Sequence, residues 1–184
     1  LSQFAEIDKL QKKVKIKILK GVEADILSDG KLDYEDSFLK NFDFVIGSLH
    51  SGFSSNIEQM TNRVLKAMRS KYLDMLGHPT GRLLLGREPY ALDMQKIIDG
   101  AVKNDVIIEL NANPHRLDVD WRHGRTLVQK NVMVSINPDA HSVAGLEDVS
   151  YGVGIARKAG LSSKQVLNTL PYKEMLKRLK RNLK

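Results

Sequence analysis

Glu23, His50 and His78 each close a short apolar run of the sequence, in "GVEADIL", "VIGSLH" and "YLDMLGH". Asn111 and Asn113 follow "VIIEL", and "VSINPDAHS" ends on Asp139 and His141. Carboxylates and imidazoles are costly to bury beside apolar strands unless a cation or a hydrogen-bonding partner holds them. Two carboxylates and three imidazoles brought together would bind Zn, Mn or Fe, which all accept mixed nitrogen and oxygen ligands. The chain has no cysteine, so thiolate sites and disulfides are excluded and any metal must use His, Asp or Glu. Asp139 and His141 are two apart, so an extended backbone would point both the same way. A single His after a strand is more often structural than a ligand; the joint placement of three is the signal. His115 and His123, in a loop and a helical pattern, are weaker candidates, and Asp25 is a candidate support for Glu23.

These residues need a frame that brings distant positions together. Strand-type runs occur at "VKIKILKGVEADI", "DFVIGSLH", "YLDMLGH", "VIIELNA" and "VMVSINPDA". Helical patterns fall between them at 56–69, 91–104 and 121–130, and "SSKQVLNTL" follows with Ser162 or Ser163 as N-cap. Alternating strands and helices with near-continuous apolar strands predict an α/β fold built on a parallel sheet. The carboxyl ends of all its strands lie on one side, where the polar residues converge. The clearest loops, "GRLLLGREPY" and "NANPHRLDV", carry Arg82, Arg87 and Arg116 just beyond that side. Two readings of these arginines stay open: ion pairing with Glu88, Asp118 or Asp120, and a clamp on phosphate oxygens. Arg82, four residues past His78, is the foremost clamp candidate, and phosphate ester hydrolysis is the chemistry the set suggests. Trp121 is read as packing, since no other aromatics interleave with basic residues near it.

The net charge of +7 on 184 residues is unevenly spread. Residues 164–184 hold seven Lys or Arg against one Glu, and residues 1–20 hold six Lys against two acids, which leaves the body mildly acidic. Such a body gathers cations better than it clamps a phosphate backbone. In "YKEMLKRLKRNLK", Met175, Leu176, Leu179 and Leu183 have helical spacing and are read as a solvated helix. At 42% hydrophobic residues the chain can bury one substantial core, and a single domain over 1–184 is expected. No apolar run approaches the roughly 18 residues of a membrane span, which excludes an integral helical membrane protein and points to a cytoplasmic one. The sequence opens on Leu1, which suggests a processed product or an excised piece.

The motifs "GVEADIL", "VIGSLHSGF", "GHPTGRLLLGREPY", "ELNANPHRLD" and "NPDAHS" resemble, in order, those of the PHP (polymerase and histidinol phosphatase) phosphoesterase domain. "GRLLLGREPY" with "NPHR" is most similar to the version fused to bacterial and archaeal family X DNA polymerases. The resemblance implies a distorted seven-stranded β/α barrel, up to three Mn, Zn or Fe ions, and manganese-dependent 3′-5′ exonuclease activity on DNA ends in repair. It implies Glu23 as a bridging carboxylate completed by His50 and His78, with Asp139 on a second metal and His141 on a third. Hydrolysis would use metal-activated water, with Arg82 or Arg116 stabilising the phosphoryl oxygens and Asn113 contacting substrate.

The family's opening His-x-His motif has no counterpart here, and five strands are found where its barrel has seven. The resemblance therefore implies an incomplete barrel, the C-terminal part of a longer enzyme with polymerase domains. An open edge between the first and last strands would invite homodimer pairing unless another chain covers it. Three functions follow from this reading: the exonuclease domain, inactive as a fragment if the missing motif is essential; a small-molecule phosphatase of histidinol-phosphatase type; and a non-catalytic module that supports a polymerase on DNA.

Overall fold

The computed structural model describes residues 2–180. After helix α1 (Ser2–Gln11), five strands alternate with helices: β1 (Gly21–Asp25), α2 (Asp36–Leu39), β2 (Phe44–Ser48), α3 (Ile57–Ala67), β3 (Met75–Leu76), α4 (Met94–Lys103), β4 (Ile107–Asn111), α5 (Gly124–Gln129), β5 (Val134–Asn137) and α6 (Val149–Lys158). Helix α7 (Tyr172–Leu176) follows. The strands form one sheet in the order β1-β2-β3-β4-β5, every pair parallel. The parallel α/β fold is the one the alternation predicts, and its architecture is the incomplete β/α barrel that the resemblance implies.

Period-two alternation divides the sheet into two faces. Ile108, Leu110, Val134 and Ile136 point outward into a core shared with Met60, Val64, Ile97 and Ile98 of the flanking helices. Phe44, Ile46, Met75 and Ile107 point inward, where Leu167, Met175 and Leu179 close over them. The amphipathic helices start where local chemistry allows. Asn56 and Gln59 form a reciprocal capping box for α3, and Asp93 accepts the Lys96 amide at the start of α4.

Several elements differ from their sequence readings. The first run pairs only from Gly21 onward, and the third contributes two residues. Short β3 follows from Asp74, whose carboxylate accepts the Val45 amide at 2.8 Å and the Lys180 amide at 2.7 Å. "SSKQVLNTL" forms two 3-10 turns, Ser163–Gln165 and Leu167–Thr169, the first held by a Ser162–Gln165 capping box. Helix α6 escaped the pattern search because Gly152 and Gly154 depress helix propensity. Gly152 is needed there, since a Cβ would come within 2.5 Å of Ile136 and 2.6 Å of Ala112. The C-terminal helix ends at Leu176, with Leu179 buried rather than solvated, and Leu183 lies outside the described residues.

The β5 edge is not bare. Val166 forms a parallel bridge with Val134, and the Asn168 amide meets both backbone groups of Ile136, at 2.7 Å to its N–H and 2.9 Å to its carbonyl. A side chain thus imitates a neighbouring strand, and the expectation of pairing between copies finds no support at this edge.

Candidate metal centre

Glu23 lies within β1, while His50, His78 and Asp139 each stand two residues past the ends of β2, β3 and β5. Parallel pairing therefore carries them to one end of the sheet. Glu23, His50 and His78 offer ligand atoms that all lie within 4.8 Å of one another. His78 Nε2 is 3.1 Å and His50 Nε2 is 3.5 Å from Glu23 Oε1. Asp25 supports the cluster through His50 rather than through Glu23, with its carboxylate 2.5 Å from His50 Nδ1. That arrangement keeps the proton of a neutral ring on Nδ1 and frees Nε2 to ligate.

The backbone and the charges are adjusted to this arrangement. His78 has φ of 23° and Asp139 φ of 52°, conformations that L-residues adopt only when the surroundings hold them. At His78 the holding group is Glu109, which accepts the His78 amide at 2.5 Å. The His78 hydrogen bond is the main cause of a low Glu23 pKa of about 2; it outweighs burial, and the charges of both imidazoles add to it. Burial opposes protonation of His78, yet the bond to Glu23 and the Glu109 charge prevail and raise its pKa. An ionised carboxylate between two imidazoles, one braced by a second carboxylate, fits a divalent ion of the Zn, Mn or Fe type.

The other expected residues take varied positions. Asp139 lies outside the triad but lines the same cavity, about 310 Å³ in volume, as Glu23, His78 and Glu109. Asn111 Nδ2 donates to Asp139 at 3.2 Å, and Arg116 Nε is 3.6 Å from it. His141 stays near it, with Nδ1 3.9 Å from Asp139 Oδ1, but stands at the exposed rim. The left-handed turn at Asp139 ends the extended backbone assumed for the pair, and the ring is 86% exposed, with Nδ1 2.8 Å from the Asp139 carbonyl. Asn113 accepts the His115 amide at 2.9 Å and so shapes its own loop. His115 and His123 are not part of the metal cluster.

Arg82 is turned away from the anion role that its spacing suggests. Its Nε donates to the Arg116 carbonyl at 2.8 Å, and its terminal nitrogens donate to Asp120 and the Leu117 carbonyl. It pins the loop that presents Arg116, and the ion-pair reading with Asp120 is the one seen. Arg116 Nη1 is buried and, among the described residues, has no hydrogen-bond partner. Arg87 donates from Nε and Nη2 to the Gly81 carbonyl, at 2.9 and 2.6 Å.

One acid escaped the sequence reading, and a second was read there only as an ion-pair partner for the arginines. Glu109, buried in the cavity wall, receives Asn137 at 2.9 Å as well as the His78 amide, and burial raises its pKa. Asp118, also raised by burial, receives the Thr80 amide and hydroxyl, each at 2.9 Å, and so fixes the turn after His78. Glu109 was legible in principle: with Asn111, Ser135 and Asn137 it forms a period-two polar set on otherwise apolar strands.

This fold and the Glu23, His50 and His78 cluster are those of a candidate metal centre, and the comparisons place the chain among phosphoesterases. No family model matches the chain. Over 181 residues it is 42% identical to the DNA polymerase/3′-5′ exonuclease PolX of Bacillus subtilis (strain 168), covering 98% of this chain and 32% of that protein. It is 30% identical over 196 residues to a probable phosphatase of Thermoanaerobacter sp. (strain X514), covering 98% of this chain and 76% of that protein. A probable phosphatase of Clostridium acetobutylicum is 33% identical over 148 residues, 75% of this chain and 58% of that protein. The chain belongs to the PHP family of phosphoesterases. It spans about a third of the polymerase it matches. Among the described residues, no helix is long and apolar enough to cross a membrane.

Proposed function

We propose that this chain is a metal-dependent phosphoesterase domain that hydrolyses phosphodiesters at the 3′ ends of DNA, as part of a protein that also carries polymerase domains. The observation that carries the reading is the Glu23, His50 and His78 triad at the mouth of a cavity shared with Asp139 and bordered by Arg116. The identity to the B. subtilis polymerase/exonuclease supports the choice of DNA.

Glu23, His50 and His78 would hold a divalent ion, with Asp139 placed for a second and His141 at the rim for a third. Such an ion supplies Lewis acidity and a water that ionises near neutral pH. The chain's own groups do the rest. Asp25 sets the tautomer of His50, and Glu23 stays ionised through the physiological range. Arg116 lies beside Asp139 and carries a buried unpaired donor, suited to an anionic phosphoryl oxygen, while Arg82 acts as a positioning residue by holding the Arg116 loop. Asn113 shapes the same loop at the substrate's approach.

A second reading, a small-molecule phosphatase, is favoured by the 76% of the Thermoanaerobacter phosphatase that this chain covers. One experiment separates them: the metal-loaded chain is given a 3′-labelled single strand and, separately, a phosphomonoester. Nucleotide release that requires manganese and vanishes in Glu23→Gln supports the exonuclease. Monoester turnover without strand cleavage supports the phosphatase. Salt-sensitive DNA binding without either turnover would leave a non-catalytic polymerase module.

A further inference from the structure

The loops that follow the two histidine ligands meet in an aromatic stack. Phe53, three residues after His50, lies parallel to Tyr90, with ring centroids 4.8 Å apart and planes at 16°. The guanidinium of Arg87 lies 4.8 Å from the Phe53 centroid and 5.8 Å from that of Tyr90. Phe53 is nevertheless 37% exposed.

The stack is rigidly built. The Tyr90 hydroxyl donates to the Leu49 carbonyl at 2.8 Å, one residue before His50. Its amide donates to the Thr80 carbonyl at 2.8 Å, two residues past His78. Gly81 admits the ring, because a Cβ there would come within 1.8 Å of it, at a φ of 58° that only glycine adopts freely. Arg87 is held in turn by the Gly81 carbonyl. Both ligand loops are thus tied to Tyr90, and the backing of Phe53 cannot move without them.

An exposed aromatic face with a rigid backing and a neighbouring cation is how proteins seat unpaired bases: stacking accepts any base, and the cation favours the adjoining phosphate. A peptide side chain would not require the Arg87 cation beside it. Resting on the phosphodiesterase reading above, we infer that Phe53, backed by Tyr90 and flanked by Arg87, stacks the base of the terminal nucleotide of a single strand while its phosphate lies at the metal triad.

The test uses the whole chain without added metal, titrated with a short strand carrying 2-aminopurine at its 3′ end. Stacking on Phe53 quenches that base. The expected result is a quench with the wild-type chain, a loss of it in Phe53→Ala and Phe53→Leu, and its recovery in Phe53→Tyr. Affinity for the strand should fall roughly fivefold or more in Phe53→Ala, as expected for loss of one base-aromatic stack. An equal quench in wild type and Phe53→Leu, or no quench in the wild type, overturns the platform. Manganese-dependent cleavage of the same strand is measured separately. Cleavage without a Phe53-dependent quench sinks the platform and leaves the phosphodiesterase; quench without cleavage does the reverse.

Discussion

Asp25 Oδ1 and His50 Nδ1 lie 2.5 Å apart, and this contact turns the far nitrogen of His50 toward Glu23. Outer carboxylates of this kind orient a ligand and raise its basicity. Asp25→Ala is therefore expected to weaken metal affinity roughly 10- to 100-fold while three ligands remain. Titration calorimetry with Mn or Zn checks it; unchanged affinity would show that the contact is incidental.

His78→Ala removes the least exposed ligand, and Asp139→Asn removes a charge from the same cavity. Both are expected to lower metal content, read by plasma mass spectrometry on purified chains, with circular dichroism near that of the wild type. If both variants retained full metal, the ligand assignment would be wrong.

The metal-free chain should lose stability in acid. Glu23, with a folded pKa of about 2 against an ordinary 4.5, contributes stability that is present above 4.5 and disappears as pH falls toward 2. Asp120, lowered by hydrogen bonds from Arg122 and Arg82 that outweigh its burial, acts in the same direction below its ordinary 3.8. Melting temperature should drop between pH 4.5 and 2, and the drop should be shallower in Glu23→Gln. An identical profile in that variant would assign the acid sensitivity elsewhere.

Arg82 holds the loop of Arg116 by three donors, so its removal acts on positioning. Arg82→Ala is expected to cost roughly 1.5–3 kcal/mol, the range for hydrogen bonds to charged groups, by denaturant titration. Hydrogen exchange should rise in residues 111–120, while Arg82→Lys recovers little because an ammonium lacks the planar fork. No change in exchange there would refute the pinning role.

Asn168 protects the β5 edge with two hydrogen bonds to Ile136. Asn168→Ala should destabilise by about 1–3 kcal/mol, two net bonds' worth, and raise the tendency to associate. Light scattering at increasing concentration tests the second point, and a chain that stays monodisperse would show that Val166 alone suffices.

The parallel arrangement was legible because apolar runs and polar closures repeat along the chain, and so were the three residues of the triad. What escaped depends on contacts that no local pattern encodes. His141 remains within 3.9 Å of Asp139, but the turn at Asp139 ends the extended backbone assumed for the pair and leaves the ring exposed. Arg82 and Arg116 look equivalent as sequence, yet only the fold decides which pairs with a carboxylate of the neighbouring loop and which keeps a donor free. Glu109 was hidden by its apolar neighbours, although a pairing search at spacing two would have exposed it. Helix α6 was lost to its glycines, of which Gly152 serves packing rather than propensity.

Asp74 joins the start of β2 to the backbone of Lys180, whose ammonium in turn caps the carbonyls of Met68 and Ser70 at 3.0 and 2.9 Å. This clasp sits at the amino ends of the strands, opposite the end that carries Glu23, His50 and His78. The molecule therefore has a hem and a workplace at different ends of one sheet. Substitutions at Asp74 should change how long the chain survives heat before they change what its ligands can hold, so durability can drift in evolution with little consequence for chemistry.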